Sequence, residues 1–285
     1  MQKNLDAFVQ AACAFDPADS MSPFMVDGVL AGWMRRSFAE RLREWPKYFS
    51  VRPRGVAMLG EYESPEHRSV VIAEVVESLA TETVITGWRG ELVTVAETFY
   101  SPPLFHIERA ASRHFGLTMH ASHLNGLTVK NGVPHMWLAR RADTKSHDPG
   151  LWDNLAAGRI ARGMSPFETL VKESLEEAGI ATALALTAKS AGVVRCKREV
   201  EEGLHREIIF VHDVTLPESF EPKNQDGEVS QFQCVPMAKM LERLEDNPEE
   251  MTVDSILVVL DCLIRLGYFS STRTDYLEII HAMRP

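Results

Sequence analysis

Apolar positions recur at three- and four-residue intervals over residues 4–15, and the segment DPADSMSP then breaks the pattern, which predicts a first amphipathic helix. Strand-like runs follow at 24–30 and 56–60, with a helical pattern at 36–45 between them. Residues 66–79 read as a second long helix, 83–98 as two strands joined around Gly87 and Gly90, and 103–114 as a further helix. Pro102 and Pro103 punctuate the end of this stretch and place a domain boundary near residue 115, giving units 1–115 and 116–285. The second unit opens with two alternating runs flanking Asn131-Gly132, a strong hairpin signal. An acidic helix is predicted at 166–178, then strands at 190–198, 205–214 and 229–235, and two closing helices at 237–246 and 253–266. No internal repeat or low-complexity tract interrupts the chain.

Length agrees with this division, since 285 residues exceed one typical domain. The formal net charge of −10 splits into −3 before residue 116 and −7 after it. Such a balance disfavours a nucleic-acid binder, which needs a basic stripe, and a polybasic membrane-surface protein. The longest apolar runs are too short to span a bilayer, and the first twenty residues lack the long apolar core and basic start of a signal peptide. Cys13, Cys196, Cys234 and Cys262 are far apart and form no CxxC pair, so free thiols in a reducing cytoplasm are expected.

The informative segment is GRIARGMSPFETLVKESLEEAGI, Gly158 to Ile180. Ser165 suits an N-cap, Pro166 the first helical position, Glu168 a capping box, and Gly179 a left-handed C-terminal cap. At about 100° per residue, Phe167, Leu170, Val171, Leu175 and Ala178 form the expected core face, and Glu173, Glu176 and Glu177 share the other side. Glu173 and Glu177 repel by about 0.2–0.5 kcal/mol, and the helix dipole disfavours Glu176 and Glu177 by about 0.3–1 kcal/mol each. A solvated acidic face with a Lys172–Glu176 pair is one account. A bound divalent cation is the other, and the upstream glycine loop with Arg159 and Arg162 favours it. Oxygen-only ligands point to magnesium or manganese rather than zinc.

At this point the chain resembles the Nudix hydrolases. Gly158, Lys172, Glu173, Glu176, Glu177, Gly179 and Ile180 match the box G-x5-E-x7-R-E-U-x-E-E-x-G-U at its spacing. Met164 stands at the first glutamate position, Lys172 replaces the arginine, and Ser174 replaces an aliphatic residue. The strings PGLWDNLAAGRI, PKNQDGEV and SILVVLDCLIRLGY resemble one subfamily, related to the Nudix domain associated with thiamine pyrophosphokinase. The resemblance implies an α/β/α sandwich with a mixed sheet, preceded here by a smaller α+β domain. It also implies Mg2+ (or Mn2+) held by Glu173, Glu176, Glu177 and the backbone at Gly158, with Glu173 and Glu177 catalytic. The implied substrate is a small-molecule diphosphate, either thiamine-diphosphate-like, intact or oxidised, or ADP-ribose-like. A non-catalytic ligand-binding module is the alternative that Met164 keeps open. A homodimer is compatible with the family, many of whose members dimerise.

Other residues stand beside the box. By resemblance Glu228, in NQDGEV, is a further metal ligand or general base; otherwise it is an exposed turn carboxylate. Arg140 and Arg141 end a predicted strand, so alternation lets at most one reach a phosphate, and Arg140 is the candidate, with Arg159 and Lys172. Trp137 and Trp152 either stack on a substrate ring, with Trp152 the candidate, or pack in the core. His120, His123 and His135 lack metal-ligand spacing. No GxSxG or Walker loop appears, and no motif before residue 116 carries chemistry.

Overall fold

The computed structural model describes residues 5–60 and 62–285. Helix α1 (Leu5–Cys13) is followed by a hairpin of β1 (Met21–Val26) and β2 (Val29–Arg35), then α2 (Arg36–Arg41), β3 (Phe49–Arg52) and β4 (Gly55–Met58). These strands form a sheet of order β2-β1-β4-β3 in which β1 and β4 run parallel. Helix α3 (Pro65–Thr81) precedes a separate antiparallel pair, β5 (Leu92–Ala96) and β6 (Pro103–Glu108). Position 4, at the start of the first expected helix, lies outside the described residues.

Three expectations for this region fail. The run 24–30 is not one strand, because Asp27 and Gly28, at φ 51° and 77°, turn the chain between β1 and β2. Residues 103–108 form strand β6, not a helix, and 109–111 only a short 3-10 turn. Its run Leu104, Phe105, His106, Ile107 and Glu108 is buried on both faces, and a short fully buried strand carries no alternation to separate it from a helix. Only 92–96 of the stretch 83–98 is a strand; Thr83, Gly87 and Gly90 take left-handed backbone angles that interrupt any ladder before it.

The second unit is built on β7 (Thr118–Lys130) and β8 (Val133–Arg141), joined through Asn131 and Gly132 at φ 50° and 77°. Two positive φ angles are what a type I′ hairpin turn requires. Short strands β9 (Trp152–Asn154) and β10 (Ala156–Arg159) pair with β8 and β7. Helix α4 (Pro166–Ala178) and one turn, α5 (Thr182–Ala185), lead to the long strands β11 (Lys189–Val200) and β12 (Gly203–Thr215) and to β13 (Val229–Pro236). The sheet order is β11-β12-β7-β8-β13, with β12 parallel to β7 and the other neighbours antiparallel. Helices α6 (Met237–Asp246), α7 (Val253–Arg265) and α8 (Tyr276–Met283) close the chain.

Leu170 and Ala178 of α4 pack with Leu124, Trp137 and Leu155 on one face of this mixed sheet. The α7 stripe packs with Ala121, Leu138, Ile209 and Val211 on the other. The result is an α/β/α sandwich beside an α+β unit whose core runs from Phe24 to Met119. Helix α1 does not pack in that first core: Leu5, Val9, Ala12 and Cys13 lie in the sandwich core with Ile279 and Met283 of α8. The expected first unit, 1–115, therefore lends its opening helix to the second. Val9→Ala is expected to lower overall stability by about 2 kcal/mol, read as a shift of the urea unfolding midpoint. Among the described residues no helix is long and apolar enough to cross a membrane.

Candidate active site

The local sequence around α4 folds as its caps dictate. Ser165 Oγ accepts from the Glu168 N–H at 3.2 Å, and Glu168 Oε2 accepts from the Ser165 N–H at 2.8 Å. Gly179 ends the helix at φ 64°, and its N–H donates to the Leu175 carbonyl at 3.0 Å. Two C-terminal carbonyls of α4 are satisfied from a distant loop: Gln225 N donates to Glu176 O at 2.8 Å and Lys223 N to Ala178 O at 3.0 Å. Those bonds draw PKNQDGEV alongside the helix end and bring Glu228 to the box carboxylates.

The three glutamates do not lie opposite the core face; they start at its edge. Glu177 is 7% exposed, and Ser174, at the aliphatic position of the box, is fully buried. Leu175, expected in the core, is 47% exposed, because the sheet meets α4 along Leu170, Ser174 and Glu177. Glu177 Oε2 accepts from the Ala157 N–H at 2.8 Å. Glu173 lies over Gly158, where an added Cβ would stand 2.4 Å from its Cγ. Gly158 is thus required for the close approach of strand and carboxylate.

Ala157, Gly158, Glu173 and Glu176 line a cavity of about 570 Å3, and Glu177 lies buried behind its wall. Lys172 Nζ bridges Glu173 at 3.1 Å and Glu176 at 2.7 Å. Lys145 pairs with Glu228, and Arg159 with Glu207 at 3.1 Å. Burial pushes the Glu173 carboxyl above its ordinary value against the pull of Lys172. Burial also pushes Glu177 well above its ordinary value, aided by the charges of Asp153 and Glu173. Burial likewise acts upward on Glu228, but the Lys145 hydrogen bond and the charges of Lys145, Arg89 and Arg141 hold it below the usual range. The residues present therefore fit a divalent cation. Crowded carboxylates, two of them partly desolvated, share one ammonium, and added positive charge would relieve them.

Behind the cavity wall at Glu207 and Asp254, His205 Nε2 lies 3.1 Å from Asp254 Oδ1 and 3.4 Å from Glu207 Oε2. Cys196 Sγ is close enough that Cys196, His205 and Asp254 present ligand atoms within 4.8 Å of one another. That group is satisfied by its own ion pairs, and burial holds the Cys196 thiol protonated. His205, Glu207 and Asp254 carry no motif spacing, and only the approach of β12 to the start of α7 reveals them.

Two expected residues fall elsewhere. The cavity is lined by Arg141, not Arg140. Arg140 is exposed and its Nε donates to the Gly150 carbonyl at 2.9 Å, whereas Arg141 Nη1 pairs with Asp153 at 2.9 Å. Alternation held: the two arginines face apart, and it is Arg141 whose face of β8 meets the cavity. Trp152 packs against the sandwich core with the Arg243 guanidinium 5.1 Å from its ring centroid and does not face the cavity. Trp137 is buried beneath Lys130. Conversely, Arg89, Arg109 and Arg113 reach the cavity from the first unit, which carries no readable motif. Arg141→Ala is expected to lower kcat/KM about 10–100-fold by leaving Asp153 unpaired beside Glu177, and Arg140→Ala by no more than about twofold, in steady-state assays.

The fold, the box geometry and the cavity together define a Nudix-type hydrolase site. The NUDIX domain family matches residues 124–254, and a domain of unknown function (DUF4743) matches residues 4–119. The chain is 33% identical to Nudix hydrolase 20, chloroplastic, of Arabidopsis thaliana, over 92% of this chain and 72% of that protein. It is 35% identical to Nudix hydrolase 24, chloroplastic, of the same plant, with the same coverage. The solved structure of DR0079 from Deinococcus radiodurans matches with a TM-score of 0.48 at 16% identity, over 60% of this chain and 99% of that one. The chain belongs to the Nudix hydrolase family.

Proposed function

We propose that the protein is a magnesium-dependent pyrophosphohydrolase acting on a small organic or nucleotide-like diphosphate. Thiamine diphosphate, intact or oxidised, is the proposed substrate, converted with one water to the monophosphate and phosphate. The observation that carries this reading is the convergence of Glu173, Glu176 and Glu228 on one cavity that also holds Arg141, Lys145 and Arg159, with Glu177 buried behind its wall on the Ala157 N–H. Acids alone would repel a diphosphate, and bases alone would hold no cation.

Glu173, Glu176, Glu177 and the Ala157–Gly158 backbone would hold Mg2+, with Mn2+ as the alternative. Such ions neutralise diphosphate charge and acidify an attacking water. The chain's own residues do the rest. Lys145, Arg141 and Arg159 orient the phosphates through charged hydrogen bonds. Glu228, held ionised beside Lys145, is placed to accept the water's proton. Arg109 and Arg113 line the cavity from the first unit and add positive charge toward a bound diphosphate. The four unpaired thiols support a reducing compartment, and the cytoplasm is the one proposed.

Met164 lines the cavity at the box position where a carboxylate is absent, which favours as second reading a module that binds but does not hydrolyse. One experiment separates the two. Monophosphate release is measured with magnesium across thiamine diphosphate, its oxidised forms, ADP-ribose and ADP. Turnover of thiamine diphosphate or an oxidised form above the others supports the proposal. Preference for ADP-ribose replaces the substrate, and binding without turnover of any member sinks the hydrolase reading.

A further inference from the structure

A second, smaller pocket of about 190 Å3 adjoins the active-site cavity, and Ala161 and Met164 line both. Its character is different. The first cavity is crowded with acids and bases, whereas no aspartate, glutamate, lysine or arginine lines the second. Its walls come from both units: Thr94, Ala96 and Phe99 from the segment around β5, and Met119 and His120 from β7. The loop from β10 to α4 forms the shared wall and is held in place at both sides. Ile160 N donates to His120 O at 2.9 Å, and Arg162 N donates to Leu92 O at 3.0 Å.

Aromatic groups define the pocket. The Phe99 ring lies 4.8 Å from the His120 ring and 5.1 Å from Phe210, each pair tilted edge to face. Burial lowers the His120 pKa to about 4, so the imidazole is neutral at physiological pH. Among the described residues its ring nitrogens have no hydrogen-bond partner, although the half-buried ring lines the pocket. A neutral imidazole lining an uncharged pocket beside Thr94 and Thr98 offers one ring N–H donor and one ring nitrogen acceptor to a ligand. The volume exceeds the roughly 150 Å3 that suffices to bind a benzene ring.

We propose that this pocket seats the planar heteroaromatic ring of the substrate while its diphosphate lies in the larger cavity, with Met164 as the threshold and His120 as the ring's hydrogen-bond partner. The proposal rests on the hydrolase reading above and deepens it. It also accounts for the departure at Met164. A glutamate there would set a charge at the wall the two spaces share, and a ring passing it would have to desolvate that charge. A thioether costs nothing to desolvate and makes favourable contact with aromatic rings.

The test uses the full chain, wild type against Ala96→Phe, which fills the pocket, and Met164→Glu, which charges its threshold. Probes are thiamine diphosphate, ADP-ribose and benzyl diphosphate as ring-bearing diphosphates, and methyl diphosphate as the ringless control. Melting curves confirm that each variant folds. Both variants are expected to lower kcat/KM for the best ring-bearing probe about tenfold or more relative to their effect on methyl diphosphate, mainly through KM. An equal fall for ringed and ringless substrates, or no fall, overturns the proposal. If the wild type turns over no probe, calorimetric affinity decides. Weakening of ring-bearing probes alone keeps the pocket while the hydrolase reading fails. Unchanged affinity, or no binding of any ring-bearing probe, overturns the pocket as well.

Discussion

Glu177→Gln is expected to lower turnover about 10²–10⁴-fold and to raise the melting temperature of the metal-free protein. Both effects follow from where this carboxylate lies. It is the most buried of the box glutamates, tied by Oε2 to the Ala157 N–H at 2.8 Å. Burial, Asp153 and Glu173 push its pKa well above the ordinary 4.5. In the unfolded chain the group ionises near that ordinary value. As pH rises from about 4.5 towards the folded value, the unfolded state gives up a proton that the folded state retains. Metal-free stability therefore falls with rising pH through this window. Glutamine keeps the shape and most of the hydrogen bonding but never ionises. Melts in EDTA from pH 4 to 8 should show the wild type losing stability relative to the variant as pH rises. Parallel curves would show that Glu177 is compensated in the folded protein without a cation. Magnesium should reverse the order, because a ligand that binds only the folded state stabilises it and the variant lacks one of the proposed metal ligands.

Gly158→Ala is expected to lower kcat about 10²-fold while leaving the fold intact. Gly158 has no left-handed backbone angle, so alanine is not strained there. The obstacle is space: its Cβ would meet Glu173 Cγ at 2.4 Å, Cδ at 2.5 Å and Oε1 at 2.7 Å. Strand β10 is paired to β7 along Ala156–Arg159 and cannot retreat, so the Glu173 side chain must move. A displacement of about 1 Å in a group that positions the reactants is enough for a loss of that size. A magnesium titration of activity should show weaker apparent metal affinity in the variant. Wild-type metal affinity would place the glycine's role elsewhere.

Much of the box was legible because its signals are local. The capping box at Ser165 and Glu168, the left-handed Gly179 and the Asn131-Gly132 turn each depend on a few adjacent residues, and each appears as expected. The glutamate trio was legible because one helix sets its spacing and its conflict with the dipole. Glu228 came from resemblance, and two backbone bonds from its loop to the end of α4 explain its arrival. Arg140 and Trp152 were misplaced for a common reason. Alternation says that neighbours face apart, not which neighbour faces the cavity, and an aromatic ring carries no mark of which space it fills.

The sequence by itself determined the chemistry of one helix: three carboxylates at its anion-disfavouring end, a glycine before it and a methionine at the position that departs from the box. Those are properties of residue type and spacing, read through short-range geometry. Only the tertiary structure decided what meets that helix. It buried Glu177 at the edge of the core and turned Arg141 inward. It brought Arg89, Arg109 and Arg113 to the cavity from a unit without a motif. It opened an uncharged pocket behind Met164. Contacts between residues far apart in the chain depend on sheet register and on how two cores meet, and no local pattern encodes either.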